Sequence, residues 1–367
     1  LPSLGIPKMR LQRLRRTLGS GLLGVTAGML ASTSRTSVAP PRRASACEEG
    51  PVMRFGAVAD VQFADVADAW NFRKTQRRRY RGALEALRFA VQDWKSGPRL
   101  DFIADLGDMI DQQCEVNKDS ERAISLVLSE WKDAPAPVFH LLGNHELYNF
   151  NRSDLAKLIP NIYPWYRSLR PVEGWRLIIL DAYDLNVVEK DGTAAVEDGL
   201  RYLGEHNPND LRAPRGSVDL AEGLVGLQRR FLPMGGGLRE KQLVWLKEEL
   251  AAAKQAGEQA ILLTHVPLCP SATVPGALLW NYDEVLDVIR GADPGAVPLV
   301  LAGHDHAGGY SQDAETGTHH VTLQSPLNAP PENPQCHGIV EVFSDRIEIK
   351  GQGILTSRVL PLKPPSW

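Results

Sequence analysis

From residue 53 onward, short and wholly apolar runs alternate with longer segments of helical periodicity. Residues 55–59 form the first such run and stop at Asp60. Tyr80, Leu84, Leu87, Val91 and Trp94 follow at steps of four, three, four and three, one apolar stripe on a helix. Gly97-Pro98 ends it. Residues 102–104 then lead into Gly107-Asp108, and Ile124, Val127, Leu128 and Trp131 mark a second helix. Residues 138–142 deliver Gly143-Asn144-His145-Glu146, and 177–180 end at Asp181. After a stretch without clean period, Leu243, Leu246 and Leu250 restore the helical spacing up to Gly257. Residues 260–263 reach His265, and 298–301 reach Gly303-His304-Asp305-His306.

The tail reads as three antiparallel strands around Val321, Ile339-Val340 and residues 347–349. Strand-helix units followed by strands alone predict an α/β protein with two stacked sheets flanked by helices. The irregular stretch at 186–238, rich in Gly, Pro, Asn and charge, is too long for a simple connector and predicts an insertion or lid. Residues 51–360 therefore read as a single catalytic domain.

The polar clusters all stand just beyond apolar runs. Strand-end loops of an α/β sheet converge on one edge, so Asp60-Val61-Gln62, Gly107-Asp108, Gly143-Asn144-His145, His265 and Gly303-His304-Asp305-His306 can meet in space. Their carboxylate, amide and imidazole groups suit two neighbouring divalent metals. Such a pair can ionise water at neutral pH and clamp an in-line displacement at phosphorus. In this reading Asp108 bridges the ions, Asp60, Gln62 and His306 complete one, and Asn144, His265 and His304 complete the other. An oxygen and nitrogen set without thiolate suits manganese, with iron or magnesium as alternatives. His145 cannot easily share an ion with adjacent Asn144, so it is free to protonate a leaving oxygen or stabilise charge on phosphorus. Asp105 and Asp111 read as structural.

Composition narrows the class. The formal net charge of −3 hides eight Lys or Arg and no acid in residues 1–47, so the remainder carries −11. An acidic body argues against nucleic-acid binding. The Arg-rich, acid-free start predicts an organelle transit segment over about residues 1–50; Arg15-Arg16 before the weakly apolar run 18–31 makes an export signal the alternative, and a cytoplasmic protein with a polar tail the third. That run is too short for a membrane span, which needs ~20 apolar residues. Cys47, Cys114, Cys269 and Cys336 show no CxxC spacing, which fits a reducing interior.

The ordered series Asp-x-Gln, Gly-Asp, Gly-Asn-His-Glu, His and Gly-His-x-His resembles the calcineurin-like metallophosphoesterase superfamily. That family's first motif usually reads Asp-x-His, and Gln62 stands here at the His position. Residues 107–111 and 303–310, Arg77-Arg78-Arg79-Tyr80, residues 180–185 and 205–209, and Trp280-Asn281-Tyr282 are similar to the manganese-dependent ADP-ribose/CDP-alcohol diphosphatases. The resemblance spans about 52–355. It implies a four-layer α/β/β/α sandwich of two mixed sheets, a dimetal centre, and cleavage of nucleoside diphosphate-linked small molecules. An amide ligand is weaker than an imidazole, so Gln62 implies a first ion that binds less tightly. Arg78, as a guanidinium fork for phosphate, and Trp280, Asn281 and Tyr282, as contacts for a base, are the candidate substrate residues. The basic run 77–81 is expected on a helix. A phosphomonoesterase or cyclic-nucleotide phosphodiesterase could use the same metal site, and a binding scaffold could keep the fold without turnover.

Overall fold

In the computed structural model the described residues are 50–71, 74–189, 193–214 and 216–365. The predicted targeting segment lies outside them. The strands of the first half are β1 (Met53–Val58), β2 (Ala69–Trp70), β3 (Arg77–Arg78), β4 (Phe102–Asp105), β5 (Val138–His140), β6 (Arg167–Val172) and β7 (Trp175–Ile179). Those of the second half are β8 (Gln259–Leu263), β9 (Leu299–Ala302), β10 (Gly309–Gln312), β11 (His319–Thr322), β12 (Cys336–Val342), β13 (Arg346–Gly353) and β14 (Arg358–Pro361). One sheet runs β14-β13-β12-β1-β4-β5 and the other β10-β11-β9-β8-β7-β6. Both are mixed: β1, β4 and β5 are parallel, as are β7, β8, β9 and β11, while the outer pairs are antiparallel.

The period-2 alternation of side chains builds the layers. Phe55, Ala57, Phe102 and Ala104 of the first sheet meet Leu177, Ile179, Ile261, Leu263, Leu299 and Leu301 of the second in one apolar core. The opposite faces, including Val58, Ile103, Ile178, Leu262 and Val300, are covered by helices. The helices on the first sheet are α1 (Tyr80–Ser96) and, beyond the short α2 (Gln113–Val116), α3 (Ser120–Trp131). Leu84, Leu87, Val91 and Trp94 of α1 and Ile124, Val127 and Trp131 of α3 form their buried stripes, as their spacing predicts. Next in the chain are α4 (Asn144–Asn149), α5 (Arg152–Leu158), α6 (Ala194–Gly204), α7 (Glu240–Ala256) and α8 (Tyr282–Arg290). Leu246 and Leu250 of α7 and Val285, Leu286 and Ile289 of α8 complete the outer layer of the second sheet. The result is the α/β/β/α sandwich.

Two expectations change. The tail is not a run of three antiparallel neighbours, because β11 lies in the second sheet and pairs parallel with β9. Its four residues, His319 to Thr322, are all buried, which suits an interior parallel strand. The basic run is not wholly helical either: Arg77 and Arg78 form β3 against β2, and α1 begins at Tyr80. The stretch after β7 contains α6 and a 3-10 turn at Gly226–Arg230. Its ends are pinned by reciprocal backbone bonds of 2.8 Å between Leu185 and Gly237. Leu185, Leu203, Phe231 and Trp280 form a small core of their own. Among the described residues no helix is long and apolar enough to cross a membrane.

Candidate metal centre

The loops after β1 and β4 are zipped together. Asp60 N–H donates to the Gly107 carbonyl at 3.0 Å, Gln62 N–H to that of Asp108 at 2.8 Å, and Phe63 N–H to that of Met109 at 3.1 Å. This pairing holds Asp60, Gln62 and Asp108 at φ of 55°, 45° and 59°, in the left-handed region, and His304 joins them at 68°. For residues other than glycine that conformation is disfavoured by ~1 kcal/mol or more. Four of the seven expected ligands therefore occupy strained backbone, which only the surrounding structure can maintain.

Each of the two central carboxylates has one oxygen tied and one aimed inward. Asp108 Oδ1 accepts the His145 N–H at 2.8 Å, and Asp60 Oδ2 accepts the His304 N–H at 2.8 Å. Asp108 Oδ2 faces Gln62 Nε2 at 2.9 Å, His265 Nε2 at 3.4 Å and His145 Nε2 at 3.9 Å. Asp60 Oδ1 faces His306 Nε2 at 3.6 Å, and that nitrogen lies 2.9 Å from Gln62 Nε2. Side-chain atoms of Asp108, His265 and His304 lie within 4.8 Å of one another. The close approach depends on glycines. A Cβ on Gly143 would stand 2.1 Å from Asp108 Oδ1, and one on Gly303 would stand 2.6 Å from Asp60 Oδ2.

Several buried atoms in this cluster have no hydrogen-bond partner: Asp60 Oδ1, Gln62 Oε1 and His265 Nε2. His265 directs Nδ1 to the Leu106 carbonyl at 2.7 Å, so the neutral ring donates there and presents a bare lone pair at Nε2 toward a carboxylate. Two acceptors facing each other with nothing between them fit a cation. The Gln62 amide is symmetric in shape, and a half-turn would put Oε1 where Nε2 stands. The donor set thus fits two divalent ions sharing Asp108.

When only protein charges act, protons take up the places that cations would fill. Burial raises Asp60 to about 8, with Asp108 adding to the shift and His265 opposing it. Burial lowers His304 to about 3 and His306 well below its usual value, so both are neutral and have a lone pair to give. Burial opposes a charged His265 and an ionised Asp108, yet their mutual attraction prevails: His265 rises to about 10 and Asp108 falls. Asp108 is the carboxylate that stays ionised.

Around this cluster three residues hold the geometry. Glu146, fully buried, accepts N–H groups from Asp108, Met109 and Gly143 at 2.9, 2.7 and 2.8 Å, clamping two ligand loops together. Its carboxylate is thus committed to backbone N–H groups and not to the adjacent His145 ring. Tyr183 is buried, and its hydroxyl lies 3.0 Å from Asn144 Oδ1 and 3.3 Å from the Met234 carbonyl. Burial holds its phenol well above the ordinary value, so it remains a donor. Asp111, read as structural, has Oδ2 at 3.6 Å from His145 Nδ1 and 3.7 Å from the Arg78 guanidinium. Tyr183 follows an apolar run by three positions, like the ligands, and that signal could have found it.

Of the expected substrate contacts, Arg78 lies beside the centre, part-exposed. Trp280 does not: it is fully buried, stacked against Tyr202, with its indole N–H donating to the Leu232 carbonyl at 3.1 Å. Asn281 is also spent, accepting from Leu238 N–H at 3.0 Å and donating to the Leu238 carbonyl at 2.8 Å. Tyr282 is half-buried under the Arg230 guanidinium at 5.2 Å. Trp280 fills the small core under the 186–238 stretch, Asn281 ties that region to Leu238, and Tyr282 packs against the main core.

Residues 53–308 match the calcineurin-like phosphoesterase family. The manganese-dependent ADP-ribose/CDP-alcohol diphosphatase of Oryza sativa subsp. japonica is 33% identical over 349 residues, 94% of this chain and 100% of the relative. The Homo sapiens protein of the same description is 34% identical, covering 84% of this chain and 92% of its own length. A crystal structure described as a dimetal phosphatase from Danio rerio superposes with a TM-score of 0.78 at 33% identity, over 85% of this chain and all of that one. With a strained, glycine-cradled ligand cluster at the strand ends and relatives matched over nearly their full length, this chain belongs to the calcineurin-like phosphoesterase family, among its manganese-dependent ADP-ribose/CDP-alcohol diphosphatases.

Proposed function

We propose that this protein is a manganese-dependent hydrolase of the pyrophosphate bond in ADP-ribose and CDP-alcohols, releasing a nucleoside monophosphate and a phosphorylated sugar or alcohol. The observation that carries the reading is the pair of half-tied carboxylates, Asp60 and Asp108, whose free oxygens face Gln62, His265 and His306 across unpartnered atoms. Relatives with that activity in their names match 33–35% of aligned positions, which supports the substrate class. Asp60, Gln62, Asp108 and His306 would hold one ion, and Asp108, Asn144, His265 and His304 the other. When bound, the two ions supply Lewis acidity that activates water and offsets charge on the phosphoryl oxygens.

His145 stabilises the charge that develops at phosphorus. Its Nδ1 accepts the Gln112 backbone N–H at 2.8 Å, so the neutral ring carries its proton on Nε2, the atom facing Asp108 and the centre. From there it donates a hydrogen bond that stabilises the charge developing on the departing phosphoryl oxygen. Asp111 lies beside the ring on its Nδ1 side, with Arg78 on the far side of that carboxylate, so neither occupies Nε2. Tyr183 keeps the Asn144 amide oxygen oriented.

The direct test incubates residues 48–367 with ADP-ribose and with CDP-choline, comparing Mn²⁺, Mg²⁺ and chelator. AMP and ribose 5-phosphate, formed with Mn²⁺ and lost with chelator, are the expected products; orthophosphate as the sole product would instead favour a phosphomonoesterase. His145→Ala is expected to lower kcat by ~10²–10³ with little change in KM, the range for one donor that stabilises transition-state charge. A kcat within threefold of wild type would remove His145 from the chemistry.

A further inference from the structure

Beside His306, at the edge of the metal centre, opens a cavity of about 390 Å³ whose polar lining is Gln76, Arg77, Arg79, Gln324 and Asn328. We propose that this cavity binds the non-nucleoside half of the diphosphate substrate and selects hydroxyl-rich or anionic groups over cationic ones. The inference rests on the proposed diphosphatase reading and adds to it where the second half of the substrate lies and what it must be.

Position is the first argument. His306 belongs both to the expected ligand set and to the cavity wall, so a group joined to a phosphate at the centre can extend directly into it. The volume falls in the ordinary range for small-ligand sites, ~300–1,000 Å³. Side-chain direction supplies the second argument. Arg77 of β3 and Arg79, the residue just before α1, line the cavity, while Arg78 between them turns to Asp111. Arg79 is anchored at its backbone, donating N–H to the Leu327 carbonyl at 2.7 Å.

Chemistry decides between the two halves of the substrate. Ala307 and Ile354 are the apolar part of the lining, and apart from the His306 imidazole, an expected metal ligand, no aromatic ring lines the cavity among the described residues. A nucleobase would find no Phe, Tyr or Trp ring to stack on. A polyol or phosphate would find two guanidiniums and several amides. Part of that capacity is unspent: Arg79 Nε and Asn328 Oδ1 are buried without a partner, though Asn328 Nδ2 reaches Gln76 Oε1 at 3.3 Å. Gln324 is held by Thr356 at 2.7 Å and shapes the wall. Arg79 is partly offset by Asp68 at 3.4 Å, whereas Arg77 has no carboxylate partner among the described residues, its guanidinium lying over Trp70. A quaternary ammonium seeks an aromatic cage or a carboxylate. The cavity wall provides neither.

The test uses Arg77→Ala and Arg77→Glu, at an exposed position where both variants keep the fold. Values of kcat/KM for ADP-ribose, CDP-glycerol and CDP-choline are compared with wild type, and ribose 5-phosphate and AMP binding are measured by calorimetry. In Arg77→Glu, ADP-ribose and CDP-glycerol are expected to lose about tenfold relative to CDP-choline. CDP-choline turnover itself rises, ribose 5-phosphate binds more weakly, and AMP binding stays the same. Arg77→Ala gives a smaller change in the same direction. An equal loss on all three substrates, an unchanged ratio, or a matching loss of AMP binding would overturn the assignment. Wild-type protein that cleaves none of the three substrates removes the diphosphatase reading itself, and this one with it.

Discussion

Asp108→Asn is expected to lower kcat by on the order of 10³ or more while leaving the fold intact. The variant keeps the size of the side chain, and the oxygen that accepts the His145 N–H at 2.8 Å can be retained. What it loses is charge at the second position, where Oδ2 stands 2.9 Å from Gln62 and 3.4 Å from His265. An amide there cannot bridge two cations. Binding to the native state alone stabilises by about 2.7 kcal/mol at a metal concentration a hundred times Kd. Wild type should therefore gain thermal stability with Mn²⁺, and the variant should lose most of that gain. Activity above a tenth of wild type, or an undiminished Mn²⁺-induced shift, would show that another group bridges the ions.

The second large effect comes from a residue without a side chain. Gly143 has φ −106° and ψ 178°, an extended conformation open to any amino acid, so backbone strain is not its reason. Space is. The Cβ of Gly143→Ala would lie 2.1 Å from Asp108 Oδ1 and 2.8 Å from the Asp108 backbone nitrogen. Either the carboxylate or the loop carrying Asn144 must move, and overpacking of this kind costs about 1–3 kcal/mol. Displacement of a bridging ligand by 1 Å is expected to lower kcat by about 10². Gly204→Ala, where a Cβ meets nothing within 4 Å, serves as the control and should be near neutral. Steady-state kinetics and thermal melts of both variants decide the matter. A Gly143→Ala enzyme within threefold of wild type would mean that Asp108 tolerates displacement.

The apolar runs before Asp60, Asp108, Asn144, His265 and His304 were readable because a buried strand must be apolar on both faces and must end where polar groups begin. The stripes of α1 and α3 were readable for a related reason, since burial of one helical face leaves its period in the text. Trp280 and Asn281 were misread as substrate contacts. An aromatic-amide-aromatic triplet has the same composition whether it faces a ligand or fills a small core, and burial distinguishes the two only once the chain has folded.

Residue order alone determined the α/β/β/α layering, the family and the set of candidate ligand side chains, because those follow from local periodicity and from chemistry fixed one residue at a time. The tertiary structure decided everything that depends on groups far apart in the chain. It set the left-handed backbone at Asp60, Gln62 and Asp108, which loop pairing across some 46 positions imposes, and at His304, whose N–H is held by the Asp60 carboxylate. It committed Glu146 to three backbone N–H groups, placed the Nε2 proton of His145 through Gln112, and turned Arg77 and Arg79 away from Arg78. Hydrogen-bond partners, tautomers and the direction of a guanidinium are properties of pairs of residues, and no pair is defined until the sheets bring its members together.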